Sequence, residues 1–200
     1  MSSDVWIYVQ ENLAKITKVC SYDRMGLGFS KRLMQNESTG TEKVWGMSTT
    51  GRMVDDLHRL LEAAQIAKPF ILVGSELGAL NSRFYSHIHD VQVSDLVLID
   101  PIPEDVFEEE RWKEYWAAEK RGSKTTVTVI TGDRFDHEIP DQLNQMVAAL
   151  QKKFLEASYP SANHIHIKGA DRQMIHMQPS AVFQHLRRLV NQRQGKQQSQ

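Results

Sequence analysis

Apolar positions recur along the chain with two different periods. Val5, Val9, Leu13 and Ile16 share one helical face, which predicts a helix over Asp4–Thr17. Met53, Leu57, Leu60, Leu61 and Ala64 form a second stripe and predict a helix over Thr50–Gln65, capped by Thr49 or Thr50. Leu143, Met146, Val147, Leu150 and Phe154 predict a third, over Asp141–Leu155. Two more helices are expected, from Glu76 to about His87 and over Pro179–Gln192, with Pro179 in the first turn. Between them lie short continuous runs: KVCSY at Lys18–Tyr22, PFILVG at Pro69–Gly74, DLVLI at Asp95–Ile99, TTVTVIT at Thr125–Thr131 and His164–Lys168. These read as strands, and the apolar PFILVG run predicts a strand covered on both faces. Asp23–Ser48 is a long polar loop.

Strands alternating with helices of this length predict an α/β fold, an open, mostly parallel sheet with flanking helices. In such sheets the chemistry gathers in the loops at the carboxyl ends of the strands. That directs attention to Asp23–Arg24, Ser75–Glu76, Asp100–Pro101, Gly132–Asp136 and Gly169–Arg172.

Composition narrows the function classes. The chain has 200 residues, with 24 Lys and Arg against 25 Asp and Glu, so its formal net charge of −1 leaves no basic footprint for nucleic acid. One cysteine, Cys20, excludes an internal disulfide framework and a multi-cysteine zinc module, and is itself expected to be a buried strand residue. His164 and His166 lie on one strand without a third metal ligand in view. MGLG at Met25–Gly28 lacks the spacing and lysine of a phosphate loop. No apolar run is long enough to span a bilayer, and residues 1–30 hold no apolar core of a signal peptide. The expected compartment is the cytoplasm, although an upstream targeting or membrane segment is compatible with this chain.

The segment VGSELGA (Val73–Ala79) follows an apolar strand and opens a helix, the setting of the G-x-S-x-G nucleophile elbow. SYDRMGLGFS (Ser21–Ser30), RMVDDLHRLLEAAQI (Arg52–Ile66) and LVLIDP (Leu96–Pro101) follow the order of segments in esterase-like proteins. On these segments the chain resembles the α/β-hydrolase superfamily from about Asp4 to Asn191. The resemblance implies one α/β-hydrolase-like domain over residues 1–190, with a short lid insertion at about 102–123 carrying Trp112, Tyr115 and Trp116. A disordered polar tail is expected over 191–200. It implies no cofactor and no metal, and leaves the oligomeric state open.

The resemblance also places a triad. Aligned on Gly74 and Gly78, the apex position that holds the family's serine is Glu76, with Ser75 one position early. Counting back from Pro179 through GADRQMIHMQP puts Arg172 in the histidine position, while His176 lies four residues later. The acid position after TTVTVIT falls on Asp136, four residues before Pro140, with Asp133 as the alternative. Family members such as epoxide hydrolases and haloalkane dehalogenases carry aspartate at the apex, but they keep a histidine to activate water. An arginine cannot take that role, because its guanidinium stays protonated. An ion pair between Glu76 and Arg172, joined by Asp136, is therefore expected. No HG-type motif precedes the first helix, so the chain is expected to be truncated at its amino end, lacking the strand that supplies part of an oxyanion hole. These replacements imply a non-catalytic pseudo-hydrolase that binds a small apolar or ester-like ligand, or a protein. The alternative is an active hydrolase of small ester-like substrates using Glu76. A third possibility is an incomplete product without activity of its own.

Overall fold

The computed structural model describes residues 3–30, 50–102 and 125–197. The expected lid at about 102–123 falls almost wholly outside them, as does most of the polar loop before Thr50. After a 3₁₀ turn at Ser3–Trp6, the elements are α1 (Ile7–Leu13), α2 (Thr50–Ala63), β1 (Phe70–Ser75), α3 (Leu77–Ile88), a second 3₁₀ turn at Asp90–Gln92, and β2 (Val93–Ile99). Then follow β3 (Thr126–Gly132), α4 (Asp141–Ser158), β4 (Asn163–Ile167), the single turn α5 (Met174–Met177) and α6 (Pro179–Gln197).

Among the described residues, the strands form one sheet in the order β1-β2-β3-β4, and all pairs are parallel. The register sets Ser75 beside Ile99, Ile99 beside Ile130, and Ile130 beside Ile165. The ends of β1, β2 and β3 therefore lie side by side, and the loops that leave them share one edge of the sheet.

Successive side chains alternate between faces. Ile71, Val73, Val97, Ile99, Ile130 and Ile167 join a core with α1, α5 and α6. Phe70, Leu72, Leu96, Leu98 and Val129 join the opposite core with α2, α3 and α4. Leu98 and Ile99 are fully buried, one to each side. Full burial of such a side chain stabilises the fold by roughly 1.5–3 kcal/mol.

Several sequence expectations change. Lys18–Tyr22 has no regular secondary structure and joins no ladder among the described residues, and Cys20 is exposed rather than buried. β1 is an edge of the described sheet, and most of its residues are only half-buried. The first helix is shorter than its apolar period suggests. In α2 the buried residues are Val54 and Leu57, while Leu60 is exposed. The carboxyl end of the chain is helical through Gln197, where its composition predicts disorder. Two anchors explain this. Arg193 donates to both carboxylate oxygens of Asp95, at 2.5 and 2.6 Å, and Gln194 donates to the carbonyl of Ile16 at 2.9 Å.

Candidate functional site

The link between β1 and α3 is one residue long. Glu76 has φ 49° and ψ −117°, a conformation that costs a non-glycine residue about 1–3 kcal/mol. Two features hold it there. Its N–H donates to the carbonyl of Ile99 at 3.1 Å, which continues the β1–β2 ladder past the strand end. Gly74 allows the helix to start immediately, since a Cβ at that position would collide with the carbonyl of Gly78 and lie 2.5 Å from Ser82 Oγ. Glu76, not Ser75, therefore lines the cavity above the sheet.

That cavity, about 620 Å³, is bounded by Pro101, Ile102, Phe135, Val147, Leu150 and Phe154, with Glu76, Asp100, Gln151 and Arg172 as its polar members. Asp100 follows β2 and also has positive φ, 45°. Its N–H donates to the carbonyl of Ile130 at 2.8 Å. The residue is 7% exposed, and Oδ1 accepts from Gln151 Nε2 at 2.7 Å. Burial pushes its carboxyl up to about 6; the charges of Glu76 and Asp171 push the same way, while the Gln151 bond and Arg172 oppose them.

Opposite, the loops after β3 and β4 are cross-tied. Arg172 Nη2 lies 2.5 Å from Oδ2 of buried Asp136. Asp171 Oδ2 accepts from the His137 N–H and lies 3.1 Å from His137 Nδ1. Fully buried Asn144 of α4 accepts from the N–H groups of Phe135 and Asp136 at 2.5 and 3.1 Å, and donates to the carbonyl of Asp136. Among the described residues, no three His, Cys, Asp or Glu side chains gather as a metal site.

The sequence model of the alpha/beta hydrolase fold family matches residues 1–128. The chain belongs to that family. Solved α/β-hydrolase structures agree on the fold. E-2-(acetamidomethylene)succinate hydrolase superposes with a TM-score of 0.66 at 16% identity, over 95% of this chain and 87% of that one. The esterase RhEst1 from Rhodococcus sp. ECU1013 gives 0.65 at 16%, over 96% and 86%. A marine microorganism esterase gives 0.63 at 14%, over 92% and 89%. Two curated fungal relatives match about half of the chain. A probable transporter, efuK, of Hormonema carpetanum is 29% identical over 93 residues, and an uncharacterized protein of Schizosaccharomyces pombe is 27% identical over 92. The matched stretch is 46% of this chain in both cases, but only 12% and 15% of those proteins.

The residues expected to be functional in this α/β-hydrolase end up in different roles. Glu76 and Arg172 line one cavity, yet the expected ion pair between them does not form among the described residues; the guanidinium is drawn to the closer carboxylate of Asp136. Asp133, the alternative acid, accepts from the Gly169 N–H at 2.7 Å and ties the loop after β3 to the loop after β4. His176 is exposed on α5. His164 bonds the carbonyl of Tyr159, and His166 bonds Thr131 Oγ1, so both are engaged on β4. His137 was not singled out from the sequence, and Asp100 was named only as a strand-end position, without a role. Their signals were present: an aspartate directly after the apolar run LVLI, and a histidine directly after the candidate acid. The described residues contain no helix long and apolar enough to cross a membrane.

Proposed function

We propose that the protein is a ligand-binding α/β-hydrolase relative that does not turn over esters. Glu76 takes the apex of the nucleophile elbow, Asp136 the acid position and Arg172 the histidine position. The observation that carries this reading is the 2.5 Å pairing of Arg172 with buried Asp136. A Ser-His-Asp system needs a neutral base that accepts the nucleophile's proton, with the acid orienting that base. Here the acid is tied to a guanidinium, which has donors and no acceptor. The cavity has the size and largely apolar walls suited to a small apolar or ester-like molecule.

The test is hydrolysis of p-nitrophenyl acetate and butyrate by the purified chain, beside Glu76→Gln and with a thermal melt on the same samples. A cooperative melt with no rate above buffer supports the reading. A rate abolished by Glu76→Gln overturns it.

That second outcome would establish an active hydrolase of small ester-like substrates. One observation favours it: Asp100, with its carboxyl pushed up to about 6, shares the cavity with Glu76. Two carboxyls in one cavity, one of them raised by burial, suit acid and base roles. In that reading Glu76 takes a proton from water, the resulting hydroxide adds to the acyl carbon, and Asp100 protonates the departing alkoxide.

A further inference from the structure

We infer that the cavity is a site for an organic cation with an apolar body, a protonated amine or quaternary ammonium carrying a hydrocarbon or aromatic group. The inference rests on the ligand-binding reading above and goes further by naming the ligand's charge.

The walls fix one half of the ligand. Pro101, Ile102, Val147, Leu150 and Phe154 offer a hydrocarbon surface, so whatever fills the cavity carries apolar bulk. The charges fix the other half. The cavity's cation, Arg172, is already paired with Asp136, and its guanidinium lies 5.9 Å from the Phe135 ring centroid. Asp136 Oδ1 accepts from the N–H of Glu138 at 3.0 Å. Asp171 is likewise engaged, by Gln173 through one oxygen and His137 through the other.

Two carboxylates remain. Glu76 has no ion pair among the described residues. Asp100 is more than nine-tenths buried and uses Oδ1 for Gln151, while Oδ2 accepts no hydrogen bond among the described residues. A carboxylate oxygen that accepts no hydrogen bond can pair with a cation in the cavity, by a charge-assisted hydrogen bond from a protonated amine or by charge alone with a quaternary ammonium. Among the described residues, the lining therefore carries more negative than positive charge beside its apolar wall. An anionic ligand with the same tail meets repulsion from Glu76 and Asp100. Phe154 also lines the cavity, and an aromatic side chain is a partner that quaternary ammonium groups prefer.

The experiment is calorimetric titration of the full chain at pH 8 with three probes sharing a ten-carbon tail, each below its aggregation limit: decyltrimethylammonium, decanol and decanoate. The expected result is saturable binding of decyltrimethylammonium, roughly tenfold or more tighter than decanol, with decanoate weakest. Glu76→Gln, isosteric and only half-buried, should cost the cation about tenfold and leave decanol unchanged. Asp100→Asn should do the same in a variant that still melts cooperatively, and added salt should weaken the cation selectively. Equal or tighter binding of decanoate, or a cation affinity indifferent to both variants, overturns the charge assignment and leaves a ligand-binding pocket standing. No saturable binding of any probe to a cooperatively folded chain overturns both. Ester turnover lost in Glu76→Gln overturns the non-catalytic reading on its own.

Discussion

Glu76 and Asp100 are both held at positive φ just past the end of a strand, and both place a carboxylate in the same cavity. The backbone strain at Glu76 depends on Gly74, so the two glycines around it should respond differently. Gly74→Ala drives a methyl into the carbonyl of Gly78 and should cost about 1–3 kcal/mol in urea unfolding. Gly78 lies in the first turn of α3 with open space at its Cβ. Gly78→Ala should therefore be neutral or stabilise by about 0.4–1 kcal/mol. Equal losses at both positions would refute this account of the turn.

Asp100 makes a separate prediction at the same scale. Its carboxyl moves from 3.8 to about 6 on folding, so between those values the folded state holds the extra proton. Its contribution to stability is greatest below about pH 4 and is lost as pH rises through 6, by about 3 kcal/mol. The groups acting on it are Gln151, Glu76, Arg172 and Asp171. Unfolding free energies at pH 4.5 and 8 should show that slope, and Asp100→Asn should flatten it. An unchanged slope in the variant would place the titration elsewhere.

At the scale of elements, α4 shows how a correct reading can point the wrong way. Its apolar stripe is legible in the sequence, yet Leu143, Met146 and Leu150 are exposed, and Val147, Leu150 and Phe154 line the cavity. The face turned into the fold is narrower and carries Asn144, Ala148 and Leu155. Asn144 is invisible to any hydrophobic periodicity because its work is done by hydrogen bonds to the loop after β3. Asn144→Ala should cost about 1–3 kcal/mol by leaving buried donors unmet, and should loosen Asp136 and Arg172 with them. The end of α6 follows the same logic. NQRQGKQ reads as tail by composition, but Asp95 is 1% exposed, and Arg193 is the cation that compensates it. Arg193→Ala should destabilise the chain by about 3 kcal/mol, because the partner charge is left buried. Thermal melting of that variant beside Arg187→Ala, which has no such partner among the described residues, separates a specific pair from a general charge effect.

For the whole molecule, the alternation of strands and helices sufficed to predict the parallel sheet, and it directs attention to the edge where the loops around the cavity gather. Burial was harder to read. PFILVG has the composition of an interior strand, whereas β1 borders the sheet that the described residues form, because what covers a strand is decided by distant segments and not by its own residues. KVCSY forms no strand among the described residues for the same reason: a run of strand-forming residues becomes a ladder only when a partner lies alongside. The position of β1 has a consequence for isotope labelling. Its N–H groups point alternately toward and away from β2, and the amide of Glu76 points inward, to the carbonyl of Ile99. By that parity the amides of Leu72 and Gly74 face β2, and those of Ile71, Val73 and Ser75 face the side where no described strand pairs with them. Deuterium uptake along this single strand should therefore come in two rates, slow and fast on alternate residues, whereas β2, flanked on both sides, should exchange uniformly slowly.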